Sequence, residues 1–227
     1  MNDQIDYYDA FASSFADSIL NCSDPAVWTT DMPQQGPTFQ SMSRRVNMQA
    51  KLMDEYFHPG EEVLDLGCGF GRQSLVVARR GFPVLGIDSS PGFVGLAERL
   101  FAKEGLMGSF RAASILDDNI APRRRNILLL DVLEHLPPAL RQDFVTRMRV
   151  FGTRGARCIV SLPWSVRWRI LRHNLYARLG KIRDKEHPFV LPSPRAVRGL
   201  FKQGFKELYH SIDLPNMFFV FEVTEEA

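Results

Sequence analysis

Three carboxylates, Asp65, Asp88 and Asp131, stand at the ends of short apolar runs: Val63-Leu64-Asp65-Leu66, Pro83-Val84-Leu85-Gly86-Ile87 and Asn126-Ile127-Leu128-Leu129-Leu130. Each run has the length and composition of a buried parallel strand, and ligands bind at the carboxyl ends of such strands. After the first run come three alternate glycines, Gly67, Gly69 and Gly71, and helical spacing resumes at Arg72. That order predicts a strand, a tight turn and a helix N-terminus. Glycine permits positive φ and lets a ligand lie against bare backbone, and the helix start offers unpaired N–H groups. The Lys-Ser/Thr of a phosphate loop is missing. Asp65 would repel a pyrophosphate and welcome an ammonium group, whereas Asp88 can accept both hydroxyls of a ribose. A glycine turn alone also suits a Rossmann oxidoreductase or an unliganded βαβ unit.

The string V-L-D-L-G-C-G-F-G, with Asp88 beyond it, resembles motif I and the acidic loop of class I S-adenosylmethionine-dependent methyltransferases. Asp131-Val132-Leu133-Glu134-His135-Leu136 resembles the D-V-L-E-H-L segment of methyltransferases of the type 11 and ubiquinone O-methyltransferase kind. The resemblance covers roughly residues 40–225. It implies S-adenosylmethionine as cofactor and S-adenosylhomocysteine as product. It places Asp65, Asp131 and Val132 at the methionine end, Asp88 and Ser89 at the ribose, and Gly67, Cys68, Gly69 and Gly71 along the main chain. Ser114 and Ile115 are its candidates beside the adenine; the acid common there in the family is displaced to Asp117. Arg44-Arg45-Val46-Asn47 loosely matches an x-R-x-N segment, in which Arg45 would grip the methionine carboxylate with its planar fork. The alternative for Arg45 is a surface arginine. The segment after Leu130 is not the N-P-P-Y/F/W of amino-adenine and glutamine methyltransferases.

The elements that must position these residues are legible as periodicities. Ile5, Tyr8, Phe11, Phe15 and Ile19 predict an amphipathic helix over 4–20 whose aromatic stripe packs on the domain. Its Tyr7-Tyr8-Asp9 resembles the leading segment that folds over the cofactor as a lid in many small-molecule methyltransferases, and one helix can do both. A second helix is expected over 41–57. Helices to Arg80 and from Asp88-Ser89-Ser90-Pro91 flank a strand at 83–87, and strands follow at 108–113 and 126–131. Then come a helix at 138–151 and a strand at 156–162. Ser193 caps a helix to Gln203, ended by Gly204, and strands at 205–212 and 217–223 close the chain. The expected fold is α/β: a Rossmann-like, seven-stranded, mostly parallel sheet with an antiparallel final edge and helices on both faces. An N-terminal helical lid occupies 1–60, and a methyltransferase domain fills 61–227 with a helical insertion at 164–185.

The chain has 227 residues, 45% hydrophobic and 24% charged, which suits one α/β domain. No apolar run approaches a bilayer span, and the acidic start argues against a secretory or transit segment. Cys22, Cys68 and Cys158 fit no zinc spacing or disulfide framework, so a reducing cytoplasm is expected and no metal set is assigned. Between Arg141 and Lys185 stand twelve Lys/Arg against two acids, leaving sixteen against twenty-four elsewhere. One face is therefore suited to an anion. Val166, Ile170, Leu171, Leu175, Leu179 and Ile182 share a helical face, bordered by Arg167, Arg169, Arg172, His173, Arg178 and Lys181, with Trp164 and Trp168 at the head. Such a helix over 164–183 packs on its own domain, covers a substrate, or makes peripheral contact with an anionic membrane. No RNA-binding module accompanies the charge, which disfavours nucleic acid.

Methyl transfer from a sulfonium needs alignment in a dry site more than chemical groups. A hydroxyl acceptor adds a need for a general base. His135, at the mouth of the predicted sheet, is the first candidate and His187 the second; His58, His173 and His210 look peripheral. The sequence points to a cytoplasmic, small-molecule O-methyltransferase with an amphipathic, lipid-linked or natural-product-type acceptor. Two rivals stand beside it: an RNA or protein methyltransferase using the basic 141–185 face, and a non-catalytic cofactor-binding regulator.

Overall fold

The computed structural model describes residues 2–28, 37–117, 121–164, 167–179, 189, 192–213 and 216–224. It contains a seven-stranded mixed sheet whose strands stand in the order Ser109–Ala112, Val84–Asp88, Val63–Leu66, Arg124–Leu130, Gly152–Pro163, Asn216–Val223 and Phe205–Asp213, mostly parallel with an antiparallel edge, as the sequence predicts. The chain divides into two compact units, 1–120 and 121–227.

The first unit holds α1 (Asn2–Leu20), α2 (Pro37–Tyr56), β1 (Val63–Leu66), α3 (Arg72–Ala78), β2 (Val84–Asp88), α4 (Pro91–Glu104) and β3 (Ser109–Ala112). All four residues of β1 are buried, as a central parallel strand covered on both faces requires. β1 pairs with β2 in parallel (Val63 with Val84, Leu66 with Ile87), and β2 with β3 (Leu85 with Ser109, Asp88 with Ala112). Gly86 has a packing reason to be glycine: a Cβ there would lie 2.6 Å from the Phe110 ring and 2.9 Å from Cys68 Sγ. Ser90 caps α4 by accepting from Phe93 N–H at 3.0 Å, and Pro91 occupies the first turn, where its missing N–H costs nothing.

The aromatic stripe of α1 is half-buried against the same unit. Tyr8 and Phe11 meet Phe93 of α4 at ring-centroid distances of 5.3 and 5.8 Å. Trp28 lies edge-on to Phe11 at 6.0 Å, Phe15 at 5.6 Å and Phe70 of the glycine turn at 6.0 Å. Its indole N–H donates to Ser18 Oγ at 3.0 Å, the polar partner a buried tryptophan needs. α2 begins at Pro37, four residues before the expected Ser41.

The second unit holds β4 (Arg124–Leu130), α5 (Pro138–Phe151), β5 (Gly152–Pro163), α6 (Arg167–Arg178), α7 (Pro194–Leu200), β6 (Phe205–Asp213) and β7 (Asn216–Val223). β4 and β5 run parallel, Ile127 beside Cys158 and Leu130 beside Ser161; β7 is antiparallel to both β5 and β6. β5 starts at Gly152 rather than Ala156, and a register irregularity between Arg124 and Asn126 absorbs the extra length. The core is aromatic, with Phe201 stacked on Phe221 at 4.1 Å. Ser193 caps α7 through Ala196 N–H (3.2 Å), but the helix ends at Leu200, short of Gln203. The chain then turns at Gly204 (φ 77°), where a Cβ would lie 2.7 Å from the Arg149 side chain.

In α6 the expected apolar face does not pack inward. Leu171 is 70% exposed, Leu175 54% and Leu179, just beyond the helix, 55%. Of the readings open for 164–183, burial against its own domain therefore fails for these residues. Val166 and Ile182 lie outside the described residues.

Candidate functional site

The glycine turn of the first unit is built as its spacing predicts. Gly67, Gly69 and Gly71 have φ of 75°, 54° and 82°, the left-handed region that side chains other than glycine enter at a cost. Gly67 and Cys68 both donate their N–H to Ile87 O, at 2.8 and 3.0 Å, tying the turn to the end of β2. The glycines then diverge in purpose. A Cβ on Gly71 would press on Ala97 Cβ at 3.1 Å, whereas one on Gly69 would meet nothing nearer than Phe93 at 4.0 Å. Gly69 thus leaves its main chain bare beside open space, as a cradle for a flat ligand requires.

Asp88 stands directly against that turn. Its Oδ2 accepts from Gly69 N–H at 2.8 Å and its Oδ1 from Ser90 N–H at 2.9 Å. Burial raises its pKa; the N–H groups of Ser90, Gly69 and Ser89 oppose the shift, and the charge of Asp9 reinforces it. Ala113 N–H donates to Asp88 O at 2.9 Å, so the half-buried loop bearing Ser114 and Ile115 starts beside the same residue. Ser114 Oγ accepts from Leu116 N–H at 3.2 Å and Asp117 N–H donates to Ser114 O at 3.0 Å, giving this loop its turn.

Asp65 is 1% exposed and accepts from Ser74 Oγ at 2.7 Å. Burial pushes its pKa from 3.8 up to about 6; the Ser74 bond lowers it, the Asp88 charge raises it and Arg45 lowers it. Arg45 is half-buried, whereas Arg44 is exposed. With the Gln73 amide turned to satisfy its neighbours, its oxygen accepts from Arg45 Nε and Nη2 at 3.2 and 3.1 Å while its nitrogen donates to Gln49 Oε1 at 2.6 Å. Gln49 Nε2 in turn donates to Gln73 O at 3.1 Å. A buried polar chain from α2 and α3 thus holds the guanidinium near Asp65. Cys68 is buried and its thiol pKa lies well above the usual value, chiefly through desolvation, which fits an inert small residue.

Asp65 gives a prediction for the ligand-free protein. A carboxyl whose folded pKa is raised adds stability below its unfolded pKa, and that contribution is lost as pH rises through about 6. Ionised Asp65 then costs the fold on the order of 3 kcal/mol at pH 7.5. Asp65→Asn keeps an acceptor for Ser74 and never ionises. It is expected to melt several degrees higher than the parent at pH 7.5, with the difference shrinking as pH falls and closing near about pH 3.5. Thermal melts across that range check this, and a lower melting temperature for the variant at pH 7.5 would contradict it.

In the second unit Asp131 follows β4 with φ 55°, the one non-glycine residue with positive φ among those described. Its N–H donates to Ser161 O at 2.9 Å, and its Oδ1 accepts from Ser161 Oγ at 2.7 Å and more weakly from Asn216 Nδ2 at 3.5 Å. Such a conformation costs on the order of 1 kcal/mol, and the bonds to Ser161 and Asn216 hold Asp131 in it. Val132 is buried, and a 3₁₀ turn at Leu133–His135 follows. Arg141 of α5 pins this turn by donating from Nε to Leu136 O at 3.0 Å. Burial lowers the Arg141 pKa and the fully buried Glu134 counters it. The His135 side chain is 23% exposed, with Nε2 3.9 Å from Glu134 Oε1.

The first unit thus gathers Arg45, Asp65, the glycine turn, Asp88, Ser89 and the start of the Ser114–Ile115 loop. The second places Asp131, Val132 and His135 on one strand end and its turn. His187 lies outside the described residues. Sequence reading passed over Ser74, which bonds Asp65, Gln73, which bonds Arg45, and Gln49, which bonds Gln73. It noted Asp9 only within the lid-like Tyr7-Tyr8-Asp9 segment, not for its bonds to Ser90 and Gly92. No cluster of His, Cys, Asp or Glu able to hold a metal occurs among the described residues, and no helix among them is long and apolar enough to cross a membrane.

A family model described as a methyltransferase domain matches residues 63–152, from β1 through α5. Over 80 residues the chain is 32% identical to a ubiquinone biosynthesis O-methyltransferase of Pseudomonas fluorescens, covering 34% of each chain. It is 30% identical over 105 residues to a ribosomal protein L11 methyltransferase of Thermosipho africanus, covering 43% of this chain and 40% of that one. The chain therefore spans less than half the length of these curated relatives, whose names point to different acceptors. Among solved structures it shares its fold with a magnesium protoporphyrin IX methyltransferase of Synechocystis with bound S-adenosylhomocysteine. There the TM-score is 0.71 at 18% identity, over 96% of this chain and 97% of that one.

Proposed function

We propose that this chain is a class I S-adenosylmethionine-dependent methyltransferase that methylates a hydroxyl of an amphipathic or lipid-linked small molecule, a reading supported by its match to a methyltransferase-domain model over residues 63–152 and by its fold. When bound, S-adenosylmethionine supplies a methyl group already activated by its sulfonium charge. The chain's residues have complementary tasks. Asp88 and Ser89 would hold the ribose. Gly67 and Gly69 would offer bare main chain, and Asp65 and Arg45 would meet the ammonium and carboxylate of the methionine part. Asp131, kept in its unusual conformation by Ser161, is a further carboxylate for a cationic group. His135 takes the proton that the acceptor hydroxyl loses.

The observation that carries the acceptor class is α6. Leu171, Leu175 and Leu179 recur every fourth residue on an exposed face, beside exposed Arg172, Arg178 and Tyr176. An apolar stripe edged with arginine suits the boundary between acyl chains and anionic headgroups, where a lipid-linked acceptor is found. The wild type is expected to sediment with vesicles containing anionic lipid. Leu171→Asp/Leu175→Asp should weaken that binding at least tenfold and leave cofactor affinity unchanged. Activity on a panel of phenols with lengthening alkyl chains should rise with chain length. Equal sedimentation of variant and parent, or methyl transfer confined to RNA or protein with steep salt dependence, would defeat this reading in favour of the basic 141–185 face as a macromolecular surface.

A further inference from the structure

We infer that Asp9 of α1 is a positioning residue for the cofactor: it locks the loop 88–92 so that Asp88 is presented to the ribose, and thereby couples docking of the N-terminal helix to cofactor binding. The inference rests on Asp88 being the ribose ligand. Asp9 Oδ1 accepts from Ser90 Oγ and from Gly92 N–H, the latter at 2.8 Å, across more than eighty residues of chain. Ser90 is fully buried and its groups are all engaged: the hydroxyl donates to Asp9 and accepts from Phe93 N–H, while its N–H donates to Asp88 Oδ1. One serine therefore links the two carboxylates. Gly92 is cut to fit the contact, since a Cβ there would lie 2.8 Å from Asp9 Oδ1 and 3.1 Å from Asp9 Cα. Tyr8, adjacent in α1, packs on Phe93, so α1 meets the first turn of α4 through both polar and aromatic contacts.

Two acids facing each other repel, and a helix that only needed to pack could do so through its aromatic stripe alone. The carboxylate is spent on the α4 N-terminus, where orphan N–H groups are available, and on the one residue whose N–H steers Asp88. Without Asp9 the Ser90 hydroxyl loses its acceptor, the loop can relax, and Asp88 can turn from its place beside Gly69.

The test is calorimetric titration of the full chain with S-adenosylhomocysteine and with its 2′,3′-dideoxy analogue. Asp9→Ala is expected to weaken S-adenosylhomocysteine about tenfold and the analogue less than twofold, because only the former uses Asp88. Asp9→Asn, whose amide oxygen still accepts from Ser90 and Gly92, should recover most of the loss. Gly92→Ala, which favours the helix but displaces Asp9, should reproduce the hydroxyl-selective loss even if Asp9→Ala folds poorly. Equal loss on both compounds in these variants, or no loss on either, overturns the inference while leaving the cofactor reading intact. Parent protein that binds neither compound overturns the cofactor reading and this inference with it.

Discussion

Asp88→Ala is expected to raise the dissociation constant of S-adenosylhomocysteine about a thousandfold. A carboxylate that accepts two hydroxyls makes two charge-assisted bonds, each worth on the order of 1.5–3 kcal/mol. The same side chain also terminates Gly69 N–H and Ser90 N–H, so alanine releases the glycine turn from the 88–90 loop as well. Asp88→Asn separates the two effects. It keeps an oxygen for one backbone donor, loses the charge and should fall between alanine and the parent. Titration calorimetry reads all three, with circular dichroism to establish that the variants are folded. A loss of less than tenfold in Asp88→Ala would mean that the ribose is held elsewhere.

His135→Ala should lower the turnover of a hydroxyl acceptor about a hundredfold and leave the affinity for S-adenosylhomocysteine within twofold. Arg141 fixes the turn from outside the imidazole by its bond to Leu136 O, so removal of the ring leaves the Asp131 backbone contacts in place. A base must be neutral to accept a proton, so parental activity should fall on the acid side of its profile, and the variant should lose that limb. Turnover and profile both unchanged would remove His135 from the chemistry and reduce it to ordering the loop. Loss of cofactor affinity would instead make it a structural support.

Much of the first unit was legible because its constraints are local. Positive φ at Gly67, Gly69 and Gly71 is demanded by a turn of adjacent residues, and the Ser90 cap with Pro91 is a signal within four residues. The strands that bear Asp65 and Asp88 and the one that Asp131 follows read as continuous apolar runs because a parallel sheet buries both faces. Errors fell where long-range contacts set a boundary. β5 extends back to Gly152, where a Cβ would lie 2.9 Å from Val223 of β7, a neighbour more than seventy residues away. α7 stops at Leu200 and leaves the turn to Gly204, packed against Arg149 of α5.

The sequence by itself determined the fold class, the order of the elements and the carboxylates that end the strands, since strand burial and glycine turns are written in adjacent residues. Tertiary structure alone decided which polar groups support those carboxylates. In sequence Asp9 is legible only as part of a lid-like Tyr7-Tyr8-Asp9 segment, with nothing to name Ser90 and Gly92 as its partners, and Gln49 and Gln73 read as ordinary helix formers. Folding puts Asp9 on the α4 N-terminus and joins the two glutamines beside Arg45. It also decided that Leu171, Leu175 and Leu179 face outward. Periodicity fixes which residues share a helix face, because 3.6 residues make a turn. Whether that face is buried depends on what the rest of the chain brings to meet it.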